Sequence, residues 1–584
     1  MTAPLKVALI VDDENLDAHR CRLAEWARST QTVQISHLIV QQRDAPPRAP
    51  LPVRLLRKRP PDWAMLALLK VKSRLEARHT DPSGPGTPTT REALRQLIPG
   101  RILVKPRISP SGFVYRYCEE DLEKIRAEGF DLLIRCGSGI LRGAILESAR
   151  LGILSFHHGD NRINRGGPPG FWEVYYGWST TGFVLQRLTE ELDGGDVLLR
   201  GSVPTQDTHQ ANCALLYERS YLQLRDVLLR IAESGTLPPA EPHLPYSARL
   251  YTAPRAGQVA AYLLRRARRS AVWHLRQKLQ LRERWGVCFV KSDWPQAAFW
   301  RGRRIETPPG RFLADPFVAT RDGRTCVFVE DYSFGAAKGR ISGFELSDSG
   351  AQELGVAIEE DFHLSFPCLF EYDGALFMCP ESAAARQIRI YRCVSFPLQW
   401  RLERIAMDGV SAADSMLLPH AGLWWLLTNL SVGPHRDHSS ELHAFFAPDP
   451  LAGRWSRHPR NPVRNDPLYA RNAGILRHGG ELVRVCQTQG FGSYGAGATL
   501  MRITRLDPES YLEEPICQLM PGFLPGAHGT HHLHSNGLYS VWDYKRWERV
   551  KRIPQEDQSR RSPAVALAAM PLPAKAGAGL GSDR

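Results

Sequence analysis

No uninterrupted apolar stretch of the chain approaches the ~20 residues that a membrane-spanning helix needs. The nearest, Trp63 to Leu69, is short and flanked by charge. No two cysteines form a Cys-x-x-Cys pair, and the total of 11 is odd. Zinc ribbons and a dense disulfide framework are therefore not expected, and a reducing compartment is. The start lacks the pattern of an export signal: after Met1-Thr2-Ala3-Pro4, Leu5–Val11 reads directly as a buried first strand. Apolar residues are not scarce. With 43% hydrophobic and 23% charged residues the composition excludes wholesale disorder. At 584 residues the chain is too long for one core, so about two to four domains are expected. The formal charge is +14, which suits nucleic acid, anionic lipid or phosphorylated substrates and selects none of them.

Four zones differ in composition. Residues 1–240 read as α/β. Phe130–Cys136 is a short apolar strand, and Gly137-Ser138-Gly139 turns into Ile140–Ala149, which has helical spacing and is stopped by Gly152. Ile153–His158 is the next strand, so this strand–helix–strand unit predicts a parallel sheet. His79–Pro88 reads as a loop. Residues 241–285 form a basic helical connector: Tyr246 to Trp285 holds ten Arg/Lys and one acid, a local +9. Its alternation of arginines with leucines fits an amphipathic helix on anionic lipid, or a solvated basic helix packed on a domain. Residues 286–556 read as short strands, among them Thr325–Glu330, Ala375–Cys379, Ile388–Arg392 and Leu423–Leu427, with Asp322-Gly323 and Asp373-Gly374 as turns. Trp424, Trp425 and Trp542 are expected in their core. The loose repeat, about 50 residues long, is that of propeller blades, and roughly 270 residues would make five. Residues 557–584 are Ala/Pro/Gly-rich and expected to be disordered.

The chemistry concentrates between Ser155 and Leu198. His157 ends a predicted parallel strand, where open α/β sheets place their ligands. Arg165-Gly166-Gly167-Pro168-Pro169, the helix Phe171–Gly177, the strand Thr181–Gln186 and Leu192-Asp193-Gly194-Gly195 follow. Trp172 reads as core. The set resembles the catalytic half of the folate-dependent formyltransferases, whose pattern is Asn-x-His after a strand, an Arg-Gly-x-x-Pro turn, Thr-Gly, and Leu-Asp-x-Gly. The resemblance covers about 200 residues and implies a Rossmann-like fold with 10-formyltetrahydrofolate as formyl donor. It makes His157 the proton shuttle and Asp193 the carboxylate that orients it. Gly139, Ile140 and Leu141 with Glu190, Glu191 and Leu192 would line the pterin slot, mostly through backbone. The family asparagine donates to the oxyanion; here Ser155 holds its place, and Asn161 in the following loop is an amide that can stand in.

The third zone carries Leu313-Ala314-Asp315-Pro316-Phe317, Phe328-Val329-Glu330-Asp331, Lys338-Gly339-Arg340-Ile341, His363-Leu364-Ser365-Phe366-Pro367, Pro380-Glu381-Ser382, Asp414-Ser415, Ala470-Arg471-Asn472-Ala473-Gly474 and Ala527-His528-Gly529-Thr530. In this order they resemble the N-terminal five-bladed propeller of glucosamine inositolphosphorylceramide transferases, itself similar to arabinanase-type glycosidases. The resemblance implies that Asp315, His363, Glu381, Asp414, Arg471 and His528 meet in one polar funnel. Asp315 and Glu381 are the pair a glycosidase would need, although sugar binding or a structural role is favoured over hydrolysis.

The expectation is a multidomain chain: an α/β Rossmann-like formyltransferase domain and an all-β five-bladed propeller joined by a basic helical connector. Its expected activity moves a formyl group to the amine of an amino sugar, nucleotide- or lipid-linked, in cell-surface glycan biosynthesis. The alternatives are a glycoside-processing enzyme with a catalytic propeller and a non-catalytic carbohydrate-binding scaffold. No metal and no specific nucleic acid are expected. The partners expected are an amino-sugar or glycolipid substrate and an anionic membrane surface through residues 246–285. A cytoplasmic location follows, peripheral to the inner face of the membrane.

Overall fold

The computed structural model describes residues 3–14, 16–42, 60–77, 96–191, 195–451 and 454–549. The predicted loop His79–Pro88 and the predicted disordered tail lie outside the described residues. The chain divides into two compact units, Met1–Arg265 and Arg266–Arg584.

The first unit is built on a seven-stranded sheet. Its spatial order is Asp196–Pro204, Thr180–Arg187, Ile153–His157, Leu132–Arg135, Leu5–Val11, Val33–Gln41, Gly100–Val104. The five strands from Ile153–His157 to Gly100–Val104 run parallel, and the other two are antiparallel additions. Alternation along the strands sends side chains to two faces. Val7, Leu9 and Val11 join Leu23, Leu224, Leu228 and Ile231 from the helices Ala18–Ser29 and His209–Ser234. Ala8 and Ile10 face Leu122 and Ile125 of the helix Glu119–Arg126. The chain leaves Leu5–Val11 toward one edge and returns through Leu132–Arg135 toward the other, which is the arrangement that opens a ligand crevice at the carboxyl ends of the strands.

The helix expected over Ile140–Ala149 is absent. Ile140–Leu141 is a short strand beside Val114–Arg116, and Ala144–Glu147 a single 3-10 turn. Gly139 and Gly143 take φ of 88° and 82°, which break the helical path that the apolar spacing suggests. Trp172 is buried, in the helix Phe171–Tyr176.

The second unit contains five antiparallel sheets. Four are four-stranded meanders, beginning at Arg311–Arg321, Ser365–Tyr372, Ser411–His420 and Asn472–His478. The fifth joins both ends of the unit: Leu281–Val290 pairs along its whole length with Ser540–Arg549, with Ala527–Gly529 and Leu533–Ser535 alongside. The strand Leu281–Val290 starts inside the stretch read as connector; the rest of that stretch holds the helix Ala256–Lys278. The leading strands of the four meanders contact one another in chain order, and both the first and the last contact Leu533–Ser535. Trp425 and Trp542 are fully buried, and Trp424 nearly so.

A bulge recurs in the leading strands. Pairing skips between Ala314 and Phe317, Ser365 and Cys368, and Ala413 and Met416, with Asp315, Phe366 and Asp414 at φ of 50°, 45° and 48°. Aspartate tolerates the left-handed region, whereas a phenylalanine there is strained. The fourth meander skips at Asn472/Gly474 and uses glycine.

Candidate functional site

Two clusters of chemistry are present, one in each unit, and each is built by its own sheet.

In the first unit Arg135, Ser155 and His157 end two neighbouring parallel strands. Arg135 and Ser155 are register partners, and His157, two residues on, shares their face. Arg135 Nη1 donates to Ser155 Oγ at 2.9 Å, and Ser155 is only 1% exposed. His157 Nε2 lies 2.7 Å from the carbonyl oxygen of Asn164. A carbonyl only accepts, so Nε2 carries a proton and donates it to this bond. Asn164 is itself buried: its Oδ1 accepts from Gly166 N at 2.9 Å, and its Nδ2 points at Glu173. The adjacent His158 has a different role. Burial pushes it down to about 3, and it bonds Ser220 Oγ at 3.1 Å, so it is a neutral packing residue.

Gly159 explains how the Asn164 carbonyl reaches the imidazole. A Cβ there would sit 2.9 Å from both the Asn164 oxygen and His157 Nε2. Gly159→Ala is therefore expected to displace the carbonyl, free the ring and lower turnover about tenfold or more. The measurement is kcat against pH; an unchanged profile would show that the contact does not orient His157.

The remaining predicted residues of this unit are placed as follows. Gly139 lies against the Tyr115 ring, where a Cβ would approach to 2.5 Å, and Ile140 and Leu141 pair with Val114 and Tyr115. Glu190 reaches across to Gly143 N at 2.6 Å, tying the two predicted halves of the slot together, and Glu191 is exposed. Asn161 Oδ1 accepts from Arg200 Nη2 at 2.9 Å, so it is engaged in the Arg200–Asp160–Glu241 ion-pair group. Leu192 and Asp193 lie outside the described residues. A cavity of about 540 Å³ lies at the opposite end of these strands, lined by Asp131, Ser148, Arg150, Gly152 and Arg187.

In the second unit the bulges bring carboxylates together. Asp414 Oδ2 accepts from Arg471 Nε at 2.6 Å and from Gln487 Nε2 at 3.1 Å, and Glu381 Oε2 lies 3.3 Å from Asp414 N and 4.0 Å from Arg471. Asp315 Oδ1 faces His531 Nε2 at 3.5 Å, and His531 Nδ1 meets Asp543 at 2.5 Å while its ring stacks on Trp285. Glu330 is 3.5 Å from His363 Nε2, and His363 Nδ1 accepts from Gly339 N. Five carboxylates (Asp315, Glu330, Glu381, Asp414 and Asp543) thus meet one arginine, Arg471, and two histidines, His363 and His531. Burial pushes Asp315 up to about 7 against the pull of His531. Burial, and then the Asp414 charge, push Glu381 up to about 8. Glu330 rises well above its ordinary value by burial and by Asp315. Burial lowers His363 to about 4. The cluster thus holds carboxyls that burial inclines toward the protonated form beside the Asp414–Arg471 pair, a set of donors and acceptors suited to hydroxyl and amine groups.

His528 stands apart from the cluster, stacked on Trp547 and bonded to Glu283 at 2.9 Å. His531, three residues on, faces the carboxylates. Glu330 lies in one of the repeating phrases but was not expected in the funnel, and Asp543, Gln487 and His531 were not singled out in the sequence, because they come from a second strand and from the closing hairpin. Asp315, His531 and Asp543 each offer one donor atom within 4.8 Å of the others, a spacing that admits a cation, although no metal was expected.

The raised Glu381 has a pH consequence. Its folded value exceeds the ordinary 4.5, so its contribution to stability is full below about 4.5 and is lost as pH rises through about 8. Glu381→Gln should flatten the fall of the unfolding midpoint between about pH 5 and 8. A fall as steep as that of the wild type would remove Glu381 as its source.

The first unit thus has the open α/β class with a histidine at the switch-point end of the sheet, and the second is a β-sheet unit with a buried carboxylate cluster. Comparison with known proteins adds likeness on both sides. Residues 302–521 match the family model of the glucosamine inositolphosphorylceramide transferase 1 N-terminal region. The chain is 33% identical over 267 residues to glucosamine inositolphosphorylceramide transferase 1 of Oryza sativa subsp. japonica, covering 44% of this chain and 35% of that protein. It is 23% identical over 320 residues to methionyl-tRNA formyltransferase of Geobacillus thermodenitrificans, covering 51% of this chain and 94% of that protein. A solved glycinamide ribonucleotide transformylase 1 from Symbiobacterium toebii aligns with 40% of the chain and 90% of that structure, at 14% identity and a TM-score of 0.27. The chain thus spans about a third of the length of the plant transferase. Its N-terminal part is similar to methionyl-tRNA formyltransferases, and residues 302–521 match the plant transferase N-terminal family.

Proposed function

We propose that the protein is a formyltransferase that moves a formyl group from 10-formyltetrahydrofolate to the amine of an amino sugar, nucleotide- or lipid-linked, in cell-surface glycan biosynthesis. The observation that carries this reading is His157, held by Asn164 at the carboxyl end of a parallel strand, within the region similar to methionyl-tRNA formyltransferase. The donor supplies an activated formyl carbon. The chain's residues fit it. Gly137 and Gly139 are places where a Cβ would meet Gln41 at 2.6 Å and Tyr115 at 2.5 Å, so only glycine lets the backbone pass this close to those side chains. Arg135 Nε beside it is buried without a hydrogen-bond partner. Gly139–Leu141 and Glu190–Leu192 would hold the pterin. His157 would take the proton of the attacking amine and return it to the leaving nitrogen, with Asp193 steadying its charged form.

The five sheets of the second unit are read as blades of one closed propeller whose carboxylate cluster, with Arg471 and His363, grips the glycan. The raised values of Asp315 and Glu381 also suit a second reading, glycoside processing at that cluster. The exposed Leu264, Trp273, Leu275 and Leu279, interleaved with arginines, would lie on an anionic lipid surface; among the described residues no helix is long and apolar enough to cross a membrane. The location proposed with this reading is the cytoplasm, peripheral to the inner face of the membrane. The test is formyl transfer from the folate donor to a panel of amino-sugar nucleotides, run beside His157→Ala, Asp193→Asn and Glu381→Gln. Loss with the first two and retention with the third supports formyl transfer, and the reverse supports the second reading.

A further inference from the structure

Ser155 stands where formyltransferases place the asparagine that donates to the oxyanion, yet it cannot take over that task as it stands. It is 1% exposed, and its hydroxyl oxygen already accepts from Arg135 Nη1 at 2.9 Å. The group lying over it is the guanidinium. Arg135 ends the strand Leu132–Arg135, is the register partner of Ser155, and shares the face of the sheet that carries His157 two residues further on.

The surroundings of this arginine supply few partners. It makes no ion pair with any carboxylate among the described residues. Its one hydrogen bond goes to a neutral hydroxyl, and its buried Nε has no partner. A guanidinium carries five donors, and burying it without an anion is costly. Arg484 shows the ordinary arrangement in this same chain, with a carboxylate and backbone carbonyls around it. Arg135 lacks that partner at the end of the sheet where α/β proteins bind ligands. Burial also lowers its affinity for the proton, against the smaller pull of neighbours that include Asp12.

We propose that Arg135 is the oxyanion donor of this enzyme, anchored by Ser155 and replacing the missing asparagine. The inference rests on the formyl-transfer reading. In the step it serves, the amine nitrogen forms a bond to the formyl carbon and the carbonyl electron pair moves onto the formyl oxygen, which Arg135 holds. The pair then returns, the bond from carbon to the donor nitrogen breaks, and the amine proton passes through His157 to that nitrogen. No electrons are gained or lost overall.

The experiment is steady-state kinetics of the full chain with 10-formyltetrahydrofolate and the best acceptor of the panel. Arg135→Met should lower kcat by about 10²–10³ with both KM values within about threefold. Ser155→Asn in the Arg135→Met background should recover at least tenfold, because it restores an amide donor; a merely structural role would not be rescued this way. Should Arg135→Met not fold, Arg135→Lys keeps the charge without the fork and should lose at least tenfold in kcat. Wild-type kcat in either folded variant, or a loss confined to KM, overturns the inference while leaving formyl transfer intact. A wild-type protein without folate-dependent transfer overturns both.

Discussion

Replacing His157 by alanine is expected to lower formyl transfer by about 10²–10⁴, the range that one positioned acid–base group supplies. The fold should tolerate it. The imidazole is hydrogen-bonded to a loop carbonyl, Asn164 O, and the strand beneath it is fixed by Ile153 and Leu154, both fully buried. The unfolding midpoint should therefore move little while kcat collapses, and that combination separates a proton shuttle from a packing residue. His158→Ala is the internal control. It removes a half-buried ring packed on Tyr217 and bonded to Ser220, so it should lower stability instead, by about 1–3 kcal/mol.

The second large effect belongs to the second unit. Arg484 and Glu513 are 0% and 1% exposed and meet through two bonds, Nε–Oε2 at 2.9 Å and Nη2–Oε1 at 2.6 Å. The guanidinium also donates to the carbonyls of Tyr469 and Ala470, and the Tyr511 hydroxyl donates to Glu513. Burial alone would raise Glu513, but Arg484 holds it below its ordinary value. Glu513→Gln keeps the shape and strands the cation, so it should cost about 3–5 kcal/mol. The double change Arg484→Met with Glu513→Leu should recover much of that, since neither charge is then left buried. Denaturant unfolding reads both. A loss under about 1 kcal/mol for Glu513→Gln would mean that the cation finds water or another partner. The linkage has the opposite sign to that of Glu381: the stabilisation from Glu513 is present above about 4.5 and is lost as pH falls through its depressed value.

Much of the first unit was legible from hydrophobic runs. Leu5–Val11 is a strand over its full predicted length, and His157 ends its strand as the pattern implied. The segment after Gly139 was misread as a helix because apolar spacing cannot register two glycines at positive φ that redirect the chain. The partnership of Ser155 with Arg135 was invisible for a different reason: it depends on register between strands 20 residues apart. In the second unit the phrases carrying Asp315, Glu381, Asp414 and Arg471 marked side chains that the structure gathers. The bulge that aims two of these aspartates has no constant residue, being Asp315, Phe366, Asp414 and Gly474 in turn. His531 was overlooked in favour of His528 because the two share one short histidine-rich segment, and only the pairing of Leu533–Ser535 with Ser540–Arg549 decides which ring meets Asp543.

The most direct test of the account is to incubate the full chain with 10-formyltetrahydrofolate and a panel of amino-sugar nucleotides, and to follow tetrahydrofolate release and N-formyl sugar by mass. The account predicts stoichiometric release and formylation of at least one amino sugar, both abolished in His157→Ala. Failure to bind the folate, or product formed equally by the wild type and His157→Ala, would contradict it.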